Sequence, residues 1–338
     1  MTERELVKKT LEFKNDTGVV PRTISYLYCA KLFHEKELNK LFEDFPEDIL
    51  FGTPGFCSQT APTYGDPNMK GTYIDEWGCT FENLNMGAIG EVKNPLIGDD
   101  DYDWDGIDKI HIPVENLTID REKINEYCKT KTQFLIAGCC PRPFEQLQFI
   151  RGTENLYCDL ITKPDNMLEF VDRMHKFYCK QLTLWAQTDV DGLFFMDDWG
   201  SQKSLLINPN LWCEIFKPMY KDYINIAHNY GKKILMHSDG YILEILPHLV
   251  ELGLDAVNAQ IFCMDFKDLE QFKGKITFWG EIDRQHMLPE GTTQEIEEAV
   301  KKVKNTFWQN GGCVAMCEFG LNAKPENVYT VYKTWSEI

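Results

Sequence analysis

Residues 193–199 read LFFMDDW and residues 234–239 read ILMHSD. Both stretches are short apolar runs that end in polar residues, which is typical of strands buried on both faces of a parallel sheet. Between them, Asn208 and Pro209 begin an amphipathic segment that runs to about Tyr230, with asparagine suited to the helix N-cap and proline to the first helical turn. The three segments together predict a strand–helix–strand unit.

The same unit recurs along the chain. Further amphipathic helices are predicted at Asn166–Thr188 and after a capping box at Thr292–Glu295. Strands alternating with helices, with about eight strands in all, predict an α/β fold in the form of a closed (β/α)8 barrel of the TIM type. An open doubly wound sheet is the alternative, but it would need a glycine-rich phosphate loop after the first strand, which the sequence lacks. The predicted strands are Val20–Ser25, Thr72–Trp77, Phe134–Cys140, Leu193–Trp199, Ile234–Asp239, Ala256–Phe262, Thr277–Ile282 and Cys313–Glu318.

No linker or composition shift divides the chain. We therefore interpret residues 1–338 as one barrel domain, in which residues 1 to about 18 form an amino-terminal helical extension. The net charge of −18, from 35 Lys+Arg and 53 Asp+Glu, argues against a nucleic-acid surface. The chain has no apolar stretch long enough for a membrane span and no signal-like start, so we expect a cytoplasmic protein. In that reducing compartment most of the 12 cysteines are expected to be packing residues.

Polar residues end five of the predicted strands. Because the carboxyl ends of parallel strands converge in a closed barrel, we expect a polar site at that rim. Ordinary loop termini are also acidic, so one such ending alone would be uninformative. The five endings are Asp75-Glu76-Trp77, Asp197-Asp198-Trp199, His237-Ser238-Asp239, Glu281-Ile282-Asp283 and Cys317-Glu318.

Two of these endings contain potential metal ligands. His237 and Asp239 are two residues apart, so both side chains can point into the barrel. Cys317 is expected at the same rim, and an imidazole, a thiolate and a carboxylate together suit zinc. The alternative interpretation is a core cysteine and a histidine satisfied by its neighbours. Arg142 can bring a guanidinium to the site or form a structural ion pair.

The sequence around these endings resembles the uroporphyrinogen decarboxylase superfamily, which includes zinc-dependent methyltransferases that use corrinoid proteins. The resemblance covers essentially the whole chain and implies a (β/α)8 barrel. It is strongest at residues 197–200, 231–233, 237–240 and 325–328, and the segments 11–13 and 20–22 are similar to non-decarboxylase branches.

The decarboxylase branch fits less well. Its Arg-Gln-Ala-Gly-Arg-Tyr stretch, whose arginines hold substrate carboxylates, is absent from the corresponding region 20–28. Asp75 is similar to the barrel aspartate of decarboxylases, but Gln148 stands where their tyrosine is expected, and Cys317, nine residues before Glu326, replaces their histidine. A site rich in carboxylates would also repel an octa-acidic porphyrinogen.

The resemblance to the methyltransferase branch implies a His-x-Cys…Cys zinc site. His237 and Cys317 match the first and last ligands, Asp239 stands at the middle position, and Glu281 is an additional or replacement ligand. With fewer thiolates, this zinc should be the stronger Lewis acid towards an oxygen substrate. We therefore expect methyl transfer between an oxygen substrate, such as an aryl methyl ether, and the cobalt of cobalamin carried by a partner corrinoid-binding protein.

The remaining polar and aromatic residues have expected roles around that chemistry. The acids Asp75, Glu76, Asp197 and Asp198 would orient the substrate or relay a proton, although each can instead cap a helix or pair with a buried arginine. Trp77 and Trp199 would stack on a ring, with Arg142 as a further substrate contact.

Two alternatives and the oligomeric state stay open. One alternative is a metal-free decarboxylase or lyase that holds a small acid through Arg142, Arg151 or Arg284. The other is a non-catalytic, ligand-binding barrel. A homodimer is one of the assemblies left open.

Overall fold

The structure is a computed structural model that describes residues 1–52, 56–57, 59–88 and 90–338. Five parallel strands follow one another in chain order and pair as neighbours. They are β7 (Gly192–Met196), β8 (Lys233–Ser238), β9 (Ala256–Ala259), β10 (Thr277–Trp279) and β11 (Cys313–Val314). Met196 pairs with His237, and His237 pairs with Asn258. The five runs predicted here are thus confirmed as strands of one continuous sheet.

Shorter strands complete the circle. They are β1 (Ser25–Tyr26), β2 (Ile49–Leu50), β6 (Phe134–Leu135) and β12 (Glu318–Phe319). Parallel pairing links β2 to β6, a bridge at Ile136 and Gly192 links β6 to β7, and β12 pairs with β1. The last gap closes where the Arg22 carbonyl accepts from the backbone N–H groups of Asp48 and Ile49. The predicted (β/α)8 barrel is confirmed.

Helices surround the barrel and follow most of its strands. An apolar cluster that contains Leu193, Phe195, Ile234 and Met236 fills the layer between strands and helices. The helices are α1 (Glu3–Leu11), α2 (Tyr28–Phe33), α3 (Glu35–Asp44), α4 (Arg121–Lys129), α5 (Pro143–Arg151), α6 (Thr153–Thr162), α7 (Asp165–Ala186), α8 (Pro209–Asn229), α9 (Leu246–Leu252), α10 (Phe266–Leu269), α11 (Met287–Glu290), α12 (Thr293–Phe307) and α13 (Pro325–Glu337). In the described ranges no helix has the length and apolar character needed to cross a membrane.

Helix α1 forms the predicted amino-terminal extension and closes one end of the barrel. Val7 and Leu11 belong to the apolar cluster inside the barrel, together with residues of β2, β6, β7 and β8. Arg4 and Lys8 bind the carboxylate of Asp191, just before β7, at 2.8 and 2.7 Å. The amino-terminal end of the barrel is therefore sealed, and the opposite end is left for a site.

One predicted strand was wrong. Residues 72–77 do not belong to the barrel: β3 (Gly71–Ile74), β4 (Thr80–Asn83) and β5 (Glu91–Asn94) form a separate antiparallel sheet. The second barrel strand is Ile49–Leu50. The two paired residues of β2 are too few to show the alternation of a strand in the sequence. The half-exposed hairpin of β3 and β4, which is rich in β-branched and aromatic residues, instead gives a strand pattern of its own.

Candidate functional site

The carboxyl ends of β7 and β8 bring an imidazole and two carboxylates together. Because Met196 lies opposite His237, Asp198 lies beside Asp239 two residues further on. The His237 Nε2 atom is 3.5 Å from Asp198 Oδ1 and 3.4 Å from Asp239 Oδ1. One ligand atom from each of these three residues lies within 4.8 Å of the other two. We call Asp198, His237 and Asp239 the mouth cluster.

Strand β9 fixes the orientation of the imidazole. The Asn258 Oδ1 atom contacts His237 Nδ1, and the Asn258 amide donates to the Trp279 carbonyl at 2.6 Å. The Nε2 atom is thereby turned to the carboxylates, an arrangement typical of metal-binding histidines and their supporting residues. Burial disfavours the imidazolium, but Asp198 and Asp239 outweigh it and raise the pKa of His237 to about 9.

An arginine holds the second carboxylate. Arg284 binds Asp239 Oδ2 through one nitrogen and Glu318 Oε2 through another, the latter at 3.0 Å. Asp239 Oδ1 is buried and has no hydrogen-bond partner among the described residues, and the same is true of Glu145 Oε2. A buried carboxylate oxygen without a donor is costly, so this orphaned atom beside Nε2 fits a bound cation.

A cavity of about 300 Å³ lies under the mouth cluster, inside the barrel. Its apolar wall contains Phe51, whose ring centroid is 4.6 Å from Phe194 and 5.0 Å from Trp279. Its polar wall contains His237 and Glu281. The cavity therefore combines an aromatic surface with acid and imidazole groups.

Glu281 is the most perturbed acid of this cavity. The residue is 3% exposed and has a φ of 52°, in the left-handed region that a non-glycine residue rarely adopts. Burial raises the pKa of Glu281 to about 8, so its carboxyl group carries a proton at neutral pH. Its place in the cavity agrees with the sequence interpretation, but the mouth cluster does not include it.

Cys317 lies elsewhere than predicted. Val314 and Met316 point into the barrel, whereas Cys313, Ala315 and Cys317 belong to the layer under the helices. The inward-facing residue at this strand end is Glu318, which lines the cavity. Side chains along a strand alternate between its two faces. Cys317 follows the inward-facing Met316 by one residue and therefore points away from the site.

Asp197 and Trp199 are structural in their contacts. Asp197 Oδ1 accepts from the backbone N–H groups of Phe144 and Glu145 at 2.8 and 2.9 Å, at the start of α5. The fully buried Trp199 stacks on Phe144 with 4.1 Å between ring centroids and donates from Nε1 to the Tyr220 hydroxyl. Neither side chain lines the cavity, which corrects their predicted substrate contacts.

The other predicted contacts gather at a separate place. Glu76, Trp77 and Arg142 line a second cavity of about 190 Å³, between the antiparallel sheet and the barrel. Asp75 shapes the turn before them, because its Oδ1 accepts from the N–H groups of Trp77 and Cys79 at 3.0 and 2.7 Å. The predicted residues of this ending are thus brought together, but away from the mouth cluster.

Three contributors were not assigned to the site from the sequence. Asn258 is a polar residue within an apolar strand, and that irregularity was the available signal. Arg284 was considered only as a substrate grip, and Glu145 follows Arg142 in a segment without a strand-end pattern. Their roles depend on neighbouring elements that the local sequence does not reveal.

The closed barrel, with acids and an imidazole at its carboxyl end, defines an α/β-barrel protein with the layout of a barrel enzyme. The model of the uroporphyrinogen decarboxylase (URO-D) family matches residues 76–338, and the chain belongs to this family. A search of curated proteins returns no significant match.

Three solved structures are similar to the chain to different extents. A methyltransferase from Methanosarcina mazei is similar over 100% of this chain and 99% of its own, with a TM-score of 0.70 and 12% identity. The apo form of a 3-keto-D-glucoside 4-epimerase from E. coli matches with a TM-score of 0.40 and 12% identity, over 66% of this chain and 85% of its own. The IOLI protein with a bound zinc atom matches with a TM-score of 0.33 and 13% identity, over 64% and 92%. At this identity, the first likeness shows a shared fold.

Proposed function

We propose that this protein is a methyltransferase that moves a methyl group between the oxygen of a small substrate, such as an aryl methyl ether, and the cobalt of cobalamin on a partner corrinoid-binding protein. The observation that carries the proposal is the orphaned Asp239 Oδ1 beside His237 Nε2, above a cavity with an aromatic wall. Membership of the family and the fold shared with a methyltransferase support it.

The mouth cluster suits zinc. Catalytic zinc is usually held by three protein ligands with one open position, and imidazole and carboxylate are acceptable donors. Asp198, His237 and Asp239 would hold the ion, and Asp198 would take the role predicted for Cys317 from the sequence. Bound there, zinc supplies Lewis acidity that stabilises negative charge on the substrate oxygen.

The chain's own groups prepare the site for that chemistry. Asn258 turns the imidazole towards the carboxylates, and Arg284 holds the Asp239 carboxylate in place. Glu281 donates its proton to the leaving oxygen, because its carboxyl group is protonated at neutral pH and lines the same cavity. A cavity of about 300 Å³ accommodates a one-ring substrate against Phe51 and its aromatic neighbours.

The decarboxylase alternative would need a cationic group to hold the substrate, and none of the described residues that line this cavity is a lysine or an arginine. Arg151 is 1% exposed and binds Asp159 at 2.6 Å. Arg284 is shared between two carboxylates, and Arg142 lines the other cavity. A substrate with several carboxylates would also meet Glu318, so we favour a neutral ether over an acid of the porphyrinogen kind.

Metal analysis and methyl transfer together test the proposal. His237→Ala should lose about one equivalent of zinc relative to the parent protein, whereas Cys317→Ser, changed in the layer behind the strand, should keep it. Transfer of an isotopically labelled methyl group from a candidate ether to a reduced corrinoid protein should be lost with His237→Ala. A folded His237→Ala protein with full transfer activity would refute the proposal. A protein that binds the ether but transfers no methyl group from any donor would instead support the non-catalytic barrel.

A further inference from the structure

A second group of metal-ligating side chains lies outside the barrel, between α7 and α8. His175 and Cys179 stand one helical turn apart on α7, and Asp222 reaches them from α8. His175 Nε2 is 3.0 Å from Asp222 Oδ2 and 3.6 Å from Cys179 Sγ. The ligand atoms of all three lie within 4.8 Å of one another. We call these residues the outer cluster.

We propose that the outer cluster binds one divalent cation of the zinc type as a clamp between α7 and α8. With zinc–sulfur and zinc–nitrogen bonds of about 2.3 and 2.05 Å, a tetrahedral centre has sulfur–nitrogen and nitrogen–oxygen edges of about 3.3–3.6 Å. The observed separations of 3.6 and 3.0 Å are close to those edges. Small side-chain adjustments would therefore admit the ion.

The surroundings of the outer cluster favour a structural clamp with one open position. His175 packs against Tyr223 of α8, with 5.5 Å between ring centroids, so the imidazole is already ordered. Asp222 is exposed, which leaves water access to the fourth position. Because α7 contacts β7 and Tyr220 of α8 packs on Phe195 of β7, the ion would tie together two elements that support the strand leading to Asp198.

A nearby cysteine–histidine pair differs from the outer cluster in the charged groups around it. Cys213 Sγ is 3.3 Å from His248 Nε2, which is as close as the pair on α7. There, however, the Lys217 ammonium lies 3.1 Å from His248 Nδ1 and 2.7 Å from Glu251. The ammonium lies at Nδ1 whereas the sulfur lies at Nε2, and the described residues place no third ligand beside that sulfur and Nε2, so this pair should bind no metal ion. Cys213 is accordingly the matched control for Cys179.

Cobalt(II) titration of the full, chelator-treated chain tests the proposal. Thiolate-to-cobalt charge-transfer absorption should reach the intensity of one thiolate-ligated cobalt per chain, because the mouth cluster contains no sulfur and cobalt bound there adds nothing to the band. The band should disappear in Cys179→Ser and persist in both Cys213→Ser and His237→Ala. Persistence in His237→Ala separates this site from the proposed active centre, so the two proposals can fail independently.

Asp222→Asn provides a second test in case the substitution at the partly buried Cys179 prevents folding. This exposed substitution should weaken cobalt binding at least tenfold while the band keeps its sulfur character. The proposal is overturned if the parent shows no charge-transfer band, if Cys179→Ser retains it, or if Cys213→Ser removes it. Methyl transfer should stay within about twofold of the parent in Cys179→Ser, because the outer cluster lies outside the cavity.

Discussion

Two four-residue segments of this chain are nearly the same but lie in different environments. Residues 75–78 read DEWG and residues 197–200 read DDWG. The first forms the turn of an antiparallel hairpin, and the second follows a strand of the barrel. The sequence alone predicts that both segments end strands at the same rim of the barrel.

The two segments make similar contacts except at the second acid. Each first aspartate accepts two backbone N–H groups through Oδ1, and each tryptophan is at most 3% exposed in the core under the helices. The second acid differs: Asp198 lies beside His237, whereas Glu76 faces the cavity that holds Arg142. The local segment therefore builds a similar scaffold twice, and the neighbouring strand decides what the free acid meets.

The largest effect should come from exchanging charge at the second acid. Asp198→Asn keeps the size of the side chain and an oxygen for the Asp239 N–H group but removes a ligand charge. Because a bound metal contributes several kcal/mol to transition-state stabilisation, methyl transfer should fall by about 10³-fold. Glu76→Gln is the matched change in the other segment and should lower activity by less than about threefold. Equal losses from both variants, measured as kcat/KM, would show that the two segments serve one site.

Glu281 belongs to the barrel site, as Asp198 does, and its substitution should have the next largest effect on activity. Glu281→Gln removes the proposed proton donor, and loss of a general acid costs about 100-fold in rate. The pKa of Glu281 is about 8, so the parent should be active with the acid protonated and lose activity as pH rises through that value. The pH–rate profile of Glu281→Gln should lack this alkaline limb. An unchanged limb in the variant would assign it to another group.

The sequence could predict the barrel because its signal is repeated. Five of the predicted strands and their helices carry apolar runs, an N-cap and a capping box that agree with one another, and the inward pair His237 and Asp239 follows from strand parity. The same alternation of side chains explains why Cys317 was predicted on the wrong face of its strand. With few paired residues in that strand, the sequence does not reveal which side chains point into the barrel. Asn258, Arg284 and the separation of residues 75–78 from the rim depend on tertiary neighbours.

Substitution of the first aspartate should change the stability of the protein differently in the two segments. Asp197 Oδ2 accepts from the Tyr220 hydroxyl at 2.6 Å, and this hydroxyl also accepts from Trp199 Nε1. Asp197→Asn would place an amide donor there and leave the buried tyrosine proton without an acceptor. The free energy of unfolding, measured in urea at pH 7, should fall by about 2–3 kcal/mol. Adding Tyr220→Phe should recover part of that loss, because it removes the stranded donor; a purely additive double variant would contradict this account.

The matched substitution of Asp75 should change stability in the opposite direction. Burial raises the pKa of Asp75 to about 6 from an ordinary value of 3.8, and Asn at this position still offers an oxygen to Trp77 and Cys79. The folded state then binds the proton more tightly than the unfolded chain, so the parent loses stability as pH rises from about 4 to 6. Asp75→Asn escapes that loss and should be more stable than the parent above pH 6 by about 3 kcal/mol, since the pKa of Asp75 lies about two units above its ordinary value, at about 1.4 kcal/mol per unit. The two proteins should converge below pH 4 in urea unfolding. If Asp75→Asn were instead destabilised at pH 7 like Asp197→Asn, the charge of the first acid would be required in both segments, and their difference would rest on the second acid alone.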